Sequence, residues 1–211
     1  KKYNNTSYYV SISNSDRSPE LDYIATVYNG IKPEEFHFRE ETGSYLLFFG
    51  RIHPEKGTYE AIQIARKAGM RLIISGLIQD EEYFKAKVQP FVDGNMVEYV
   101  GNSGPARRDE LLGGAFALLH PVSFEEPFGL SVAEAMMCGT PVVAFRRGSM
   151  PELIVHGKTG FLVNDIAGAV TVIPEVEKIN RSNCRQWAME NFSTDKMIEG
   201  YLAVYRKILL T

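Results

Sequence analysis

Ala117-Leu118-Leu119-His120-Pro121-Val122-Ser123-Phe124-Glu125-Glu126-Pro127-Phe128-Gly129-Leu130-Ser131-Val132-Ala133-Glu134-Ala135-Met136-Met137-Cys138-Gly139-Thr140-Pro141-Val142-Val143-Ala144-Phe145 decides the fold. An apolar strand, Ala117–His120, runs into a loop punctuated by Pro127 and Gly129. A helix over Leu130–Met137 follows, and a second apolar strand, Pro141–Phe145, closes the unit. Both strands are continuously apolar rather than alternating, as strands covered on both faces are. A strand–helix–strand unit of this kind is a crossover in a parallel sheet.

The same rhythm extends in both directions. Strand patterns lie at Tyr8–Ser13, Tyr45–Phe49, Arg71–Ser75, Met96–Val100 and Phe161–Val163. Helical patterns lie at Thr58–Ala68, Asp80–Val92, Pro105–Gly113, Met150–Val155 and Ile166–Ile179. This alternation predicts an α/β fold, a Rossmann-like parallel sheet with helices on both faces. The two ends break the rhythm. Arg181–Asn191 and Thr194–Leu210 are helical and split at Phe192-Ser193, with Ser193 placed to cap the second helix. Tyr201 and Tyr205, four apart, share one face of it. Lys1–Ala25 carries one strand and a polar turn around Asn14–Pro19. The expected organisation is a remnant of another domain and its linker over 1–26, a Rossmann-like domain over 27–180, and closing helices over 181–211.

Composition narrows the class. Of 211 residues, 45% are apolar and 23% charged, the balance of an ordinary globular chain. A net charge of −3 gives no reason to expect nucleic-acid binding. Cys138 and Cys184 stand far apart with no metal-ligand spacing and read as reduced thiols of a cytoplasmic protein. No apolar run reaches spanning length. The start, Lys1-Lys2-Tyr3-Asn4, has neither Met nor an apolar leader and reads as the beginning of a fragment or processed piece. Sequons at Asn4, Asn180 and Asn191 are read as chance.

Three glycine-containing segments follow strands, where open α/β sheets bind ligands. In Gly50-Arg51-Ile52-His53-Pro54-Glu55-Lys56-Gly57 a tight turn carries two cations to the mouth of a helix, a setting that suits an anion. Each cation–phosphate contact has a Coulomb term of about 4 kcal/mol at about 4 Å and an effective dielectric near 20, before desolvation. The alternative is a solvated surface loop. In the second segment Glu134 sits mid-helix among apolar residues, where an ionised carboxylate needs a partner. Glu126 stands at the mouth of the same helix, so both acids can face one cleft and accept hydroxyl donors. The alternative is a structural pair between Glu134 and a buried Arg. The amides of Phe128, Gly129 and Leu130 add a second anion site. In the third segment, Gly148-Ser149-Met150-Pro151-Glu152, Pro151 marks a helix start and Glu152 reads as a first-turn acid and no more.

Several motifs are missing. The P-loop glycine that Gly157-Lys158-Thr159 would need falls on Glu152. No Gly-x-Gly-x-x-Gly and no Asp-x-Asp occurs. Arg51 and Lys56 would neutralise a diphosphate without a metal, so no metal and no cofactor are expected. His37, His53, His120 and His156 show no ligand spacing, and His120, closing an apolar strand, reads as a buried, hydrogen-bonded residue.

The chain resembles the C-terminal, donor-binding domain of family-4 retaining glycosyltransferases of GT-B architecture. Glu126 through Glu134, with seven residues between the acids, matches the paired-glutamate motif of that family. Ala135–Ala144, Gly157–Val163, Tyr28-Asn29-Gly30-Ile31, Gly50-Arg51 with Glu55-Lys56-Gly57, Phe192-Ser193 and Tyr201–Tyr205 also match. The resemblance implies that Arg51 and Lys56 hold the donor diphosphate and that Glu126 binds donor-sugar hydroxyls. It implies that Glu134 binds the ribose, and that Gly50 and the Phe128–Gly129–Leu130 backbone line the donor site. The implied substrate is a nucleoside-diphosphate sugar, with overall likeness favouring UDP over GDP and the base read near Gly101-Asn102. A carbohydrate or lipid acceptor would sit on an N-terminal domain of which only the last strand is expected here. Peripheral membrane contact is compatible with the full protein, and an apolar face is expected where that domain packs. Alternatives are a non-catalytic nucleotide-sugar-binding module and a nucleotide-sugar epimerase of GT-B fold.

Overall fold

A computed structural model describes residues 7–210; the Lys1–Asn4 start and the Asn4 sequon lie outside them. At the N-terminal end, β1 (Tyr9–Ser11) is shorter than its expected span and pairs in parallel with an unexpected strand, β2 (Tyr23–Thr26). The polar turn between them is anchored by Glu152. Its carboxylate accepts from Asn14 N at 2.8 Å, Asn14 Nδ2 at 2.9 Å, Ser15 N at 2.9 Å and the Tyr28 hydroxyl at 3.0 Å. Burial and the Glu152 charge push the Tyr28 phenol up to about 12. The reading of Glu152 as a first-turn acid and no more is therefore wrong: it clamps the N-terminal segment to the rest of the chain. Glu152→Ala is expected to cost about 2 kcal/mol. Hydrogen exchange should show the Asn14 and Ser15 amides opening while the main sheet stays protected.

That main sheet has six strands: β3 (Leu46–Phe49), β4 (Leu72–Ser75), β5 (Val97–Tyr99), β6 (Ala117–His120), β7 (Val142–Phe145) and β8 (Gly160–Val163). All pair in parallel, in the order β5-β4-β3-β6-β7-β8. The pattern of side chains explains the layers. Leu46 and Phe48 of β3 point into one core with Ile62 and Ile64, which belong to α1 (Thr58–Ala68). Leu47 points into the other. There it meets Leu111 and Leu112 of α3 (Pro105–Gly113), Val132 and Met136 of α4 (Leu130–Met137), and Ala188 and Phe192 of α7 (Arg181–Phe192). Cys138 and Cys184 are buried free thiols in this second core, and burial pushes both above the ordinary thiol range.

Proline sets where two helical patterns stop. The span Asp80–Val92 starts as α2 (Glu81–Tyr83), capped by Asp80, but continues as a π-helical turn, Phe84–Val88, and a 3-10 turn, Gln89–Phe91, at Pro90. The span Ile166–Ile179 is α6 (Ile166–Val172) and then a 3-10 segment, Ile173–Lys178, around Pro174. The expected helix at Met150–Val155 is a single turn, α5 (Met150–Leu153). The closing helices divide where expected: α7 ends at Phe192, and Ser193 Oγ accepts from Lys196 N at 3.4 Å at the head of α8 (Thr194–Leu209). Ile198, Leu202, Tyr205 and Leu209 lie along α8 as exposed large apolar side chains. Among the described residues no helix is long and apolar enough to cross a membrane.

The strand order fixes where a ligand can go. β3 pairs with both β4 and β6, so the chain winds outward in opposite senses on either side of the β3–β6 seam. Loops leaving the carboxyl ends of those two strands diverge and leave a crevice.

Candidate functional site

The loop after β3 forms one wall. The Pro54–Lys56 turn is capped by the His53 ring, which accepts from Glu55 N, and it ends at Gly57 with φ of 77°. A Cβ on Gly57 would stand 2.0 Å from Pro121 O, so only glycine lets this turn press against the end of β6. Ser123 N donates to Glu55 O at 2.9 Å across the same junction. Lys56 is thereby carried over the second loop. Arg51, further out on this wall, donates through Nη1 to Gln79 Oε1 at 2.8 Å.

The loop after β6 forms the other wall. Lys56 Nζ donates to Glu126 Oε2 at 2.5 Å and lies 4.6 Å from the Phe124 ring centroid. His120 Nε2 stops 3.6 Å from the same carboxylate oxygen, too long for a hydrogen bond. Burial alone would raise the Glu126 carboxyl, but the nearby His120 ring and the Lys56 ammonium outweigh it and hold it below the ordinary carboxylate range. Gly129 heads α4 with φ of 90°, and a Cβ there would meet Met150 Cε at 2.7 Å. With no side chain to cap that end, the first-turn amides of Leu130 and Ser131 are left at the crevice wall. The Phe128 ring turns inward against Tyr28 and Phe192, so only its backbone belongs to the site.

Glu134, 9% exposed, rises from the middle of α4. Burial pushes its carboxyl up to about 7; Arg108 opposes this and Glu35 adds to it. Arg108 Nη1 donates to Glu134 Oε1 at 3.1 Å and its Nη2 reaches Glu35 at 3.4 Å. The alternative of a pair with a buried Arg is met only in part, because Arg108 is half-buried, and Glu134 lines the crevice as well.

These walls enclose one cavity of about 410 Å³. Gly50, Arg51, Lys56, Glu126, Phe128, Gly129, Leu130 and Glu134 all line it, whereas Gly101 and Asn102, expected to read the base, do not. His120 lines it too, which the sequence reading missed. The sequence reads it as a buried, hydrogen-bonded residue; it is buried, but among the described residues its Nε2 has no hydrogen-bond partner. Its place at the carboxyl end of β6 was the signal that could have found it. Among the described residues no group of three or more His, Cys, Asp or Glu is placed to hold a metal ion.

Sheet order, helical layers and the crevice at the strand-order reversal make this a Rossmann-like α/β domain of the kind found in GT-B glycosyltransferases. The chain belongs to the glycosyl transferases group 1 family, which matches residues 32–181. It is 30% identical over 176 residues to the trehalose synthase of Pyrococcus horikoshii, covering 75% of this chain and 42% of that protein. AviGT4, a glycosyltransferase involved in avilamycin A biosynthesis, superposes with a TM-score of 0.82 at 25% identity, over 95% of this chain and 64% of the other. Anabaena Alr3699/HepE, solved in complex with UDP-glucose, shares the fold with a TM-score of 0.78 at 20% identity, over 99% and 65%. The chain therefore spans less than two thirds of each.

Proposed function

We propose that this chain is the donor-binding domain of a retaining, metal-independent family-4 glycosyltransferase that moves a hexose from a nucleoside-diphosphate sugar. One observation carries the proposal: two cations, two carboxylates and the free amides at the head of α4 converge on a single cavity at the strand-order reversal. Arg51, Lys56 and the Leu130 and Ser131 amides match a diphosphate in charge and in donors. Holding that charge as the glycosidic bond breaks is electrostatic stabilisation of the leaving group. Glu126, its carboxyl held below the ordinary range by Lys56 and His120, is a weak base and suits acceptance from sugar hydroxyls. Glu134 suits the ribose, and the two cations remove the need for a metal at the diphosphate. Residues 1–26 belong with an N-terminal acceptor-binding domain, and the apolar stripe of α8 is the face that packs on it. Likeness to Alr3699/HepE favours UDP over GDP as the nucleotide.

Calorimetric titration with UDP, GDP and their glucose and mannose conjugates tests the proposal. Saturable one-to-one binding by at least one is expected. Heats of dilution alone for all of them would sink it.

Glu134 makes that binding pH-dependent. A carboxyl held near 7 is ionised above that value and protonated below it. UDP-glucose affinity is expected to fall about tenfold from pH 8 to pH 6, as a charged acceptor becomes neutral. The diester diphosphate of the ligand does not titrate in this window. Glu134→Gln should flatten the profile, and a wild-type profile already flat would contradict the assignment. By linkage, a raised carboxyl stabilises the fold most below the ordinary carboxylate range, and that contribution is lost as pH climbs through about 7.

A further inference from the structure

Glu126 Oε2 is shared unequally by two side chains, Lys56 at 2.5 Å and His120 at 3.6 Å. Glu126 and His120 are 8% and 6% exposed, so both have little contact with bulk water. Among the described residues, Nε2 of His120 is buried with no hydrogen-bond partner, an expensive condition for a polar atom. The donor reading above, on which this inference rests, needs Lys56 to serve a diphosphate. A diphosphate competes with Glu126 for that ammonium. Withdrawing it would strand a buried ionised carboxylate, which is costly. Among the described residues, the only other charged or titratable side chain paired with Glu126 is His120.

We propose that His120 is a positioning residue that takes over Glu126 when the diphosphate captures Lys56. Nε2–H moves a fraction of an ångström and donates to Glu126 Oε2 as Lys56 Nζ turns to the phosphate oxygens. The neutral tautomer protonated at Nε2 suffices, so no proton has to be taken up. Glu126 stays ionised and aimed at the sugar throughout. The orphaned nitrogen is thus a reserve partner, satisfied only in the occupied cleft.

Nitrogen-15 NMR of the histidine rings tests this on the chain as it stands. The chain has four histidines, and the signal lost in His120→Gln assigns the one in question. On saturation with UDP or GDP, whichever binds tighter, the His120 Nε2 signal is expected to shift to a hydrogen-bonded position with slower proton exchange. Lys56→Met without ligand should show the same shift, because the competitor for Glu126 is gone. Nucleotide affinity should drop about tenfold in His120→Phe and stay within about twofold in His120→Gln, whose amide keeps a donor at that depth. A His120 signal unmoved at saturation, or unmoved in Lys56→Met, overturns the handover and leaves the donor site standing. Failure of every nucleotide to bind overturns the donor site and the handover together.

Discussion

Lys56→Ala is expected to lower affinity for the preferred nucleoside diphosphate by about tenfold to hundredfold, the loss of a charge-assisted contact in a partly buried site. The same change should spare nucleoside binding, because adenosine-, guanosine- or uridine-type ligands lacking phosphate never meet the ammonium. Calorimetry with the nucleoside, monophosphate and diphosphate series separates the two. Equal losses along the series would mean that Lys56 supports the loop and does not contact phosphate. A stability cost will accompany the binding loss, since Glu126 then keeps only the more distant His120. Urea denaturation of Lys56→Ala beside Lys56→Ala/Glu126→Gln isolates it: removing the charge should restore the part of the lost stability that the His120 contact does not already recover.

Arg181→Ala is expected to be the most destabilising single substitution outside the crevice. Arg181 is 5% exposed and, among the described residues, its guanidinium pairs with no carboxylate. It donates to Arg39 O at 2.7 Å, Ala115 O at 3.0 Å, Gly113 O at 2.7 Å and Thr140 Oγ1 at 2.7 Å. One side chain at the head of α7 therefore satisfies acceptors before β3, after α3 and before β7. Truncation strands them all in a closed core, at a cost of about 3–5 kcal/mol. For a chain of this size that corresponds to a melting temperature lower by about 10 °C. Differential scanning calorimetry checks it. A fall of under about 2 °C would show that the carbonyls find water or other donors.

The crevice was legible because its chemistry is local in sequence. Glu126 and Glu134 stand on one loop and the helix it feeds, so helical spacing alone puts them on one side of a cleft. Arg51 and Lys56 share a single loop after an obvious apolar strand. The parallel sheet with helices on both faces followed from the alternation of apolar runs with helical patterns; the order of its strands did not. What escaped depends on long-range contacts. Glu152 finds Asn14 and Ser15, and Arg108 finds Glu134, through the tertiary fold with no periodic signature. β2 is four half-buried residues paired with another short strand, too little apolar alternation to register. Pro90 and Pro174 were visible as breaks, yet the spans around them were drawn through as single helices.

In the proposed reading, Arg51, Lys56, Glu126 and Glu134 form one diphosphate-sugar site. A crystal structure of the chain with UDP-glucose or GDP-mannose, whichever binds tighter, measures it directly. The predicted result places both phosphates within hydrogen-bond distance of Arg51, Lys56 and the head of α4, with the ribose at Glu134 and the sugar at Glu126. Density for the ligand on any other surface, with these four side chains uncontacted, would contradict it.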